Sequence, residues 1–74
     1  MDYLIYADGS FEAIEEIDII SEVITNIRNS GAVRMVWKSK VFPNKWLQMR
    51  PQDVHGGVDA DDVPDEVKLA AMLE

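Results

Sequence analysis

Ile17, Ile20, Val23, Ile24 and Ile27 recur at the spacing of one helical face, and the apolar residues on either side of them recur at the spacing of a strand. The five fall within an arc of roughly 120° on a helical wheel, the width of a core-facing stripe. Asp18, Glu22, Thr25, Asn26 and Arg28 occupy the rest of the wheel. The many β-branched side chains favour strand, but the periodicity overrides that preference. The spacing predicts a helix over 18–29, with Asp18 as its N-cap and Asn29-Ser30-Gly31 as its stop.

Before this helix, DYLIYADGSFEAIEE reads as a β-hairpin. Asp8-Gly9 is a strong signal for a two-residue type I′ turn, whose central positions both need positive φ. Such a turn pairs Ala7 with Ser10, Tyr6 with Phe11 and Leu4 with Ala13. Leu4, Tyr6, Phe11 and Ala13 then share the core face, with Tyr3, Ile5, Glu12 and Ile14 on the other. A helix starting directly after Ser10 is the competing reading, but Phe11 falls off the helical stripe.

After the helix, AVRMVWKSK alternates, with Val33, Met35 and Trp37 on one face and Arg34, Val36, Lys38 and Lys40 on the other. Pro43-Asn44 marks a turn. WLQMR alternates again, placing Leu47 and Met49 on the core side and Trp46, Gln48 and Arg50 outside. These two runs form a second hairpin with a loop of about five residues. Pro51 ends regularity, QDVHGGVDADD reads as a turn-rich acidic connector, and VPDEVKLAAMLE as a short helix with Pro64 at its first position. Val63, Val67, Ala70 and Ala71 form one possible apolar stripe, with Leu69, Met72 and Leu73 crowding the neighbouring positions. The expected fold class is α+β: a small antiparallel ββαββ domain over residues 1–50 with one packed helix. Residues 51–74 add the connector and a short C-terminal helix that docks on the core or on a partner.

A chain of 74 residues without cysteine has neither disulfide nor thiolate metal site to staple it. At this size folding buries only roughly 60% of the surface, so close packing or self-association must supply the margin, and the chain is expected to be a monomer or homodimer. No run of apolar residues is long enough for a membrane span. The first residues lack the basic and apolar regions of a secretory signal, which fits the cytoplasm.

Charge is distributed in blocks. Seven acids lie in residues 1–22 and seven in 53–74, while six of the seven basic residues lie between Arg28 and Arg50, where there is no acid. WKSKVFPNKWLQMR therefore stands as a basic, tryptophan-containing strip in a chain of net charge −7. Arg34, Lys38, Lys40, Lys45 and Arg50 could contact phosphates while Trp46 stacks a base. The opposing reading is that these side chains pair with the chain's own acids. A net charge of −7 repels a polyanion at long range and favours the second.

Chemistry has little to work with. Asp59, Asp61 and Asp62 supply oxygen ligands, but a calcium loop needs glycine and glutamate where Pro64 and Ala70 stand. Asp53 and His55 make an incomplete zinc pair. The one histidine has no serine or threonine in a recognisable nucleophile turn, and Gly56-Gly57 lacks the residues of a phosphate cradle. No cofactor is expected. The sequence points to a small non-catalytic module that binds another protein, as an inhibitor or regulator occluding its partner's binding site. One surface for this is acidic (Glu12, Glu15, Glu16, Asp18 and Glu22) and imitates a row of phosphates. The other is the basic hairpin, with Trp46 as the anchor. The alternative is single-stranded nucleic-acid binding through Arg34, Lys38, Lys40, Lys45, Trp46 and Arg50.

Overall fold

In the computed structural model, which describes residues 1–73, apolar alternation turns into strands that are covered on both faces. The elements are β1 (Asp2–Ile5), β2 (Phe11–Ile14), α1 (Ile20–Ser30), β3 (Arg34–Lys38), β4 (Trp46–Met49), β5 (Val58–Asp59) and α2 (Asp65–Met72). The fold is α+β. All five strands join one antiparallel sheet in the order β2-β1-β3-β4-β5. The expected four strands are present. The fifth comes from the acidic connector, where Val58 pairs with Gln48 and Asp59 with Leu47.

α1 packs on one face. Val23 and Ile27 are buried there with Leu4, Ala32, Met35 and Met49, and Ile14, Ile17, Ile24 and Trp37 lean on them. The helix ends as its sequence predicts, with Gly31 left-handed (φ 79°). Its start differs. Asp18 does not cap it; the N-cap is Ile19, without a side-chain bond, and the helix begins at Ile20. Asp2 Oδ2 accepts the Ile17 N–H at 3.2 Å, which ties the chain to β1 just before the helix starts.

The second face is covered by the C-terminal segment. Tyr3, Ile5, Val36 and Trp46 from the sheet are buried with Ala60, Val63 and Val67, and Phe11, Ala70 and Ala71 complete the cluster. The stripe expected of α2 is the one it uses, while Pro64 sits one position earlier than expected, as the N-cap. Eight residues are too few for a helix to persist by itself. Full burial of Val67, worth about 1.5–3 kcal/mol, helps hold it to the sheet.

The first hairpin departs from its expected register by one residue. Tyr3 pairs with Ala13, Leu4 with Glu12 and Ile5 with Phe11. The loop is longer than the type I′ turn. Gly9 N–H donates to Tyr6 O (3.0 Å), Tyr6 N–H to Ser10 O (2.9 Å), and only Gly9 has positive φ (88°). Asp8 instead uses its carboxylate, which accepts the Ser10 N–H at 2.9 Å and the Ser10 hydroxyl at 2.6 Å. These bonds hold the Asp8 carboxyl below the usual range. A shift of one residue exchanges pairing partners across the faces. Leu4 therefore faces α1, while Tyr3, Ile5 and Phe11 face the C-terminal segment.

Gly57 is placed by close approach. A Cβ there would stand 2.6 Å from Trp37 Cζ2 and 2.9 Å from Cη2. Trp37 thus packs over the backbone that leads into β5. Gly57→Ala should destabilise the fold by about 1–3 kcal/mol, because the indole must shift in a packed layer. Urea denaturation measures this, and the penalty should shrink in a Trp37→Leu background, where the clashing ring is gone.

Candidate protein-binding surface

Two groups of residues compete for the role of a binding surface, and their local partners separate them. The basic strip is largely engaged with the chain's own acids. Arg34 is on the face of the sheet that the C-terminal segment covers, and its side chain is only 13% exposed. Its Nη1 donates to Gln48 Oε1 (2.8 Å) and to Asp62 Oδ1 (2.9 Å), and its Nη2 to Asp62 O (3.2 Å). Gln48 Nε2 in turn donates to Asp59 O at 3.4 Å. This network fastens the connector to β3 and β4.

Arg50 closes the turn after β4. Its Nε and backbone N–H both donate to Asp53 Oδ2, at 2.9 and 3.0 Å, and its Nη2 donates to Oδ1 at 3.2 Å. These bonds hold the Asp53 carboxyl below its ordinary range. Lys45 pairs with Asp59 at 3.1 Å and lies 5.7 Å from the centre of the Phe42 ring. Lys40 pairs with Glu16, a contact that raises the lysine and lowers the carboxyl. Lys38 is exposed and, among the described residues, forms no ion pair.

Trp46 requires a correction. Sequence alternation places it on an outer face, available to a base or a partner. It is 9% exposed and lies in the core, with its ring 6.3 Å from that of Tyr3. The alternation is observed, but the face it defines is buried beneath Ala60, Val63 and Val67. The same holds for Val36, which is fully buried.

The acidic group is arranged differently. Glu12 lies on β2, Glu15, Glu16 and Asp18 on the segment from β2 to α1, and Glu22 in the first turn of α1. All five are exposed. They follow one another along the free edge of the sheet and around to the start of the helix. Glu12 Oε2 accepts the Tyr6 hydroxyl at 2.8 Å, which raises the phenol above its usual range. Glu22 stands at the positive end of the helix dipole. Asp2 lies inside this rim. It is 4% exposed, and burial raises its carboxyl above the usual range despite the bond from Ile17.

Several open clefts touch these groups. One, of about 330 Å³, is lined by Asp2, Glu16, Asp18, Trp37 and Lys40 among others. Another, of about 270 Å³, includes Lys45, Asp59, Asp61 and Lys68. Both are at or below the lower end of small-molecule sites; the second is lined mainly by charged and polar side chains, while the first sets Ile17, Trp37, Val41 and Leu47 beside its charges. Among the described residues no three His, Cys, Asp or Glu side chains gather as metal ligands. His55 is exposed in the connector. Several hydroxyls serve local structure: Thr25 donates to Ser21 O, Ser30 to Ile27 O, and Ser39 accepts the Val41 and Phe42 N–H groups.

The Arg34–Gln48–Asp62 network is absent from the sequence reading. Its one visible signal is the alternation that puts Arg34 and Gln48 on the same face; the partner lies 28 residues beyond Arg34. No helix among the described residues is long and apolar enough to cross a membrane. No family model, curated protein or solved structure matches this chain.

Asp2 gives the rim a defined pH response. Its folded carboxyl titrates above the unfolded value, so its contribution to stability is fully present below the unfolded value and is lost as pH rises through the folded one. Asp2→Asn keeps an oxygen for the Ile17 N–H and removes the buried charge. The variant should melt at a higher temperature than the parent at pH 7, and the difference should close as the pH falls below about 4. Calorimetry across that range checks both parts.

Proposed function

We propose that this chain is a small non-catalytic module that binds another protein and occludes its partner's binding site through an acidic surface. The observation that carries the reading is the fate of the charges. Arg34, Lys40, Lys45 and Arg50 turn to acids of the same chain, while Glu12, Glu15, Asp18 and Glu22 remain exposed without a basic partner among the described residues. What the molecule offers outward is therefore mainly negative. Carboxylates spaced along a strand edge and a helix start can stand in for a row of phosphates, which makes a nucleic-acid-binding groove on another protein the natural target.

Structural economy supports this reading. Exposed ion pairs are individually worth about 0–1 kcal/mol. Held together, though, they remove most of the positive potential from the second hairpin. Binding of single-stranded nucleic acid by that hairpin is left with Lys38 as its unpaired cation and with no exposed tryptophan on β4. Stacking on an aromatic ring contributes about 1–3 kcal/mol per base, and with Trp46 buried the exposed ring left on this hairpin is Phe42 at its loop, which weakens that alternative.

Charge reversal tests the proposal. Replacing Glu12, Glu15 and Asp18 together by Lys should reduce recovery of a stoichiometric protein partner from lysate by tenfold or more, about 1.4 kcal/mol, without changing the circular dichroism spectrum. Undiminished recovery would discard the acidic surface. Labelled single-stranded DNA at low salt should show no binding at micromolar protein, and saturable binding that Lys38→Glu weakens would restore the alternative.

A further inference from the structure

The sheet order leaves β2 with a strand on one side only, and its free side runs beside the acidic rim. Hydrogen bonds alternate in direction along the hairpin. Tyr6 N–H donates across it to Ser10 O, whereas Ile5 O accepts from Val33 N–H on the opposite side. Continuing this alternation through Leu4↔Glu12 and Ile5↔Phe11 turns the N–H and C=O groups of Phe11 and Ala13 away from β1. Edge strands are commonly blunted by lysine, proline or a covering segment. Phe11–Ile14 contains neither residue, and among the described residues no strand lies beyond it.

Both faces of the sheet are also incomplete at this edge. Phe11 is half-buried, its ring edge-on to Tyr3 at 6.1 Å, and belongs to the cluster under the C-terminal segment. Ile14 is half-buried against the α1 cluster. A sixth strand would continue the ladder and extend both apolar layers.

We infer that β2 is a docking edge for an extended, basic segment of a partner protein, which joins the sheet as a sixth strand. This rests on the acidic-surface reading above and specifies what that surface receives. Charge selects the occupant. Residues 1–27 contain no lysine or arginine, and Glu12, Glu15, Glu16 and Asp18 are exposed on or beside the edge. A second copy of the chain would bring its own Glu12 and Glu15 to the same place, where like charges oppose pairing. Lys40, which pairs with Glu16, shows an ammonium group already accommodated on this rim. Main-chain bonds to Phe11 and Ala13 supply affinity, and basic side chains at alternate positions supply selectivity.

The probe is a short capped peptide that alternates lysine and threonine, added to the full chain at low salt and followed by amide hydrogen exchange. At saturation, exchange at Phe11 and Ala13 should slow about tenfold or more, and high salt should reverse the effect. The same peptide N-methylated on its sheet-facing amides should lose this protection, while methylation of the opposite set should preserve it. Ala13→Pro, which removes an outward N–H that an edge strand can spare, should lose it too. If that variant fails to fold, the methylated peptides decide the matter on the unaltered protein. Peptide binding without protection of Phe11 and Ala13 overturns the docking edge and leaves the acidic-surface reading standing. Absence of peptide binding at millimolar concentration also overturns it, and the charge-reversal recovery then judges the broader reading separately.

Discussion

Burial of Val36 and Trp46 beneath residues 60–71 is the contact on which the rest of the structure depends. Without that layer, the sheet would expose Tyr3, Ile5, Val36 and Trp46 together, and a small domain has little stability to offset such a face. With it, the sheet lies between α1 and the C-terminal segment, and the interior strand β1 is buried along its whole length. The connector is consequently part of the fold. β5 pairs with β4, Ala60 N–H donates to Trp46 O at 3.0 Å, and Arg34 holds Asp62.

That arrangement also decides the electrostatics. Bringing residues 53–62 onto the sheet carries Asp59 to Lys45 and Asp62 to Arg34, while the chain after β2 brings Glu16 to Lys40. Charge blocks separated in sequence become neighbours in space. The pairs are individually weak, but they engage Arg34, Lys40, Lys45 and Arg50 and leave exposed acids, those at the β2 edge and the start of α1 among them, without a basic partner among the described residues. A single packing event thus links tail docking, the quenching of the basic hairpin and the outward negative surface.

Much of the fold was legible in the residues. The stripe from Ile17 to Ile27 identified the helix, Gly31 its end, and alternation around Met35 and Met49 the second hairpin, because each signal is local and tied to a backbone geometry. The α2 stripe of Val63, Val67, Ala70 and Ala71 was one of the faces its crowded apolar residues allowed, and it is the one that packs on the sheet. What failed did so where a local signal met a rival contact, near or far along the chain. Asp8-Gly9 suits a type I′ turn, but the Asp8 carboxylate bonded to Ser10 supports the longer loop with glycine alone left-handed. Asp18 suits an N-cap, but Asp2, sixteen positions earlier, binds Ile17 just before the helix starts. The candidate surface was legible in part: the exposure of Glu12, Glu15, Glu16, Asp18 and Glu22 agrees with their place in the pattern, while that of Trp46 does not.

By itself, then, the sequence determined both helices and the first four strands, most of their limits, and which residues share a face of each of those strands, while β5 emerged only from its pairing with β4. Periodicity encodes these directly, since the backbone repeats every two residues in a strand and every 3.6 in a helix. Only the tertiary structure decided which faces meet solvent. Alternation states that Arg34, Val36, Lys38 and Trp46, Gln48, Arg50 look the same way, but not whether another segment lies over them. That depends on contacts across long stretches of chain, such as Arg34 with Asp62 and Trp46 with Val63 and Val67, whose formation reflects the free energy of the whole packed assembly.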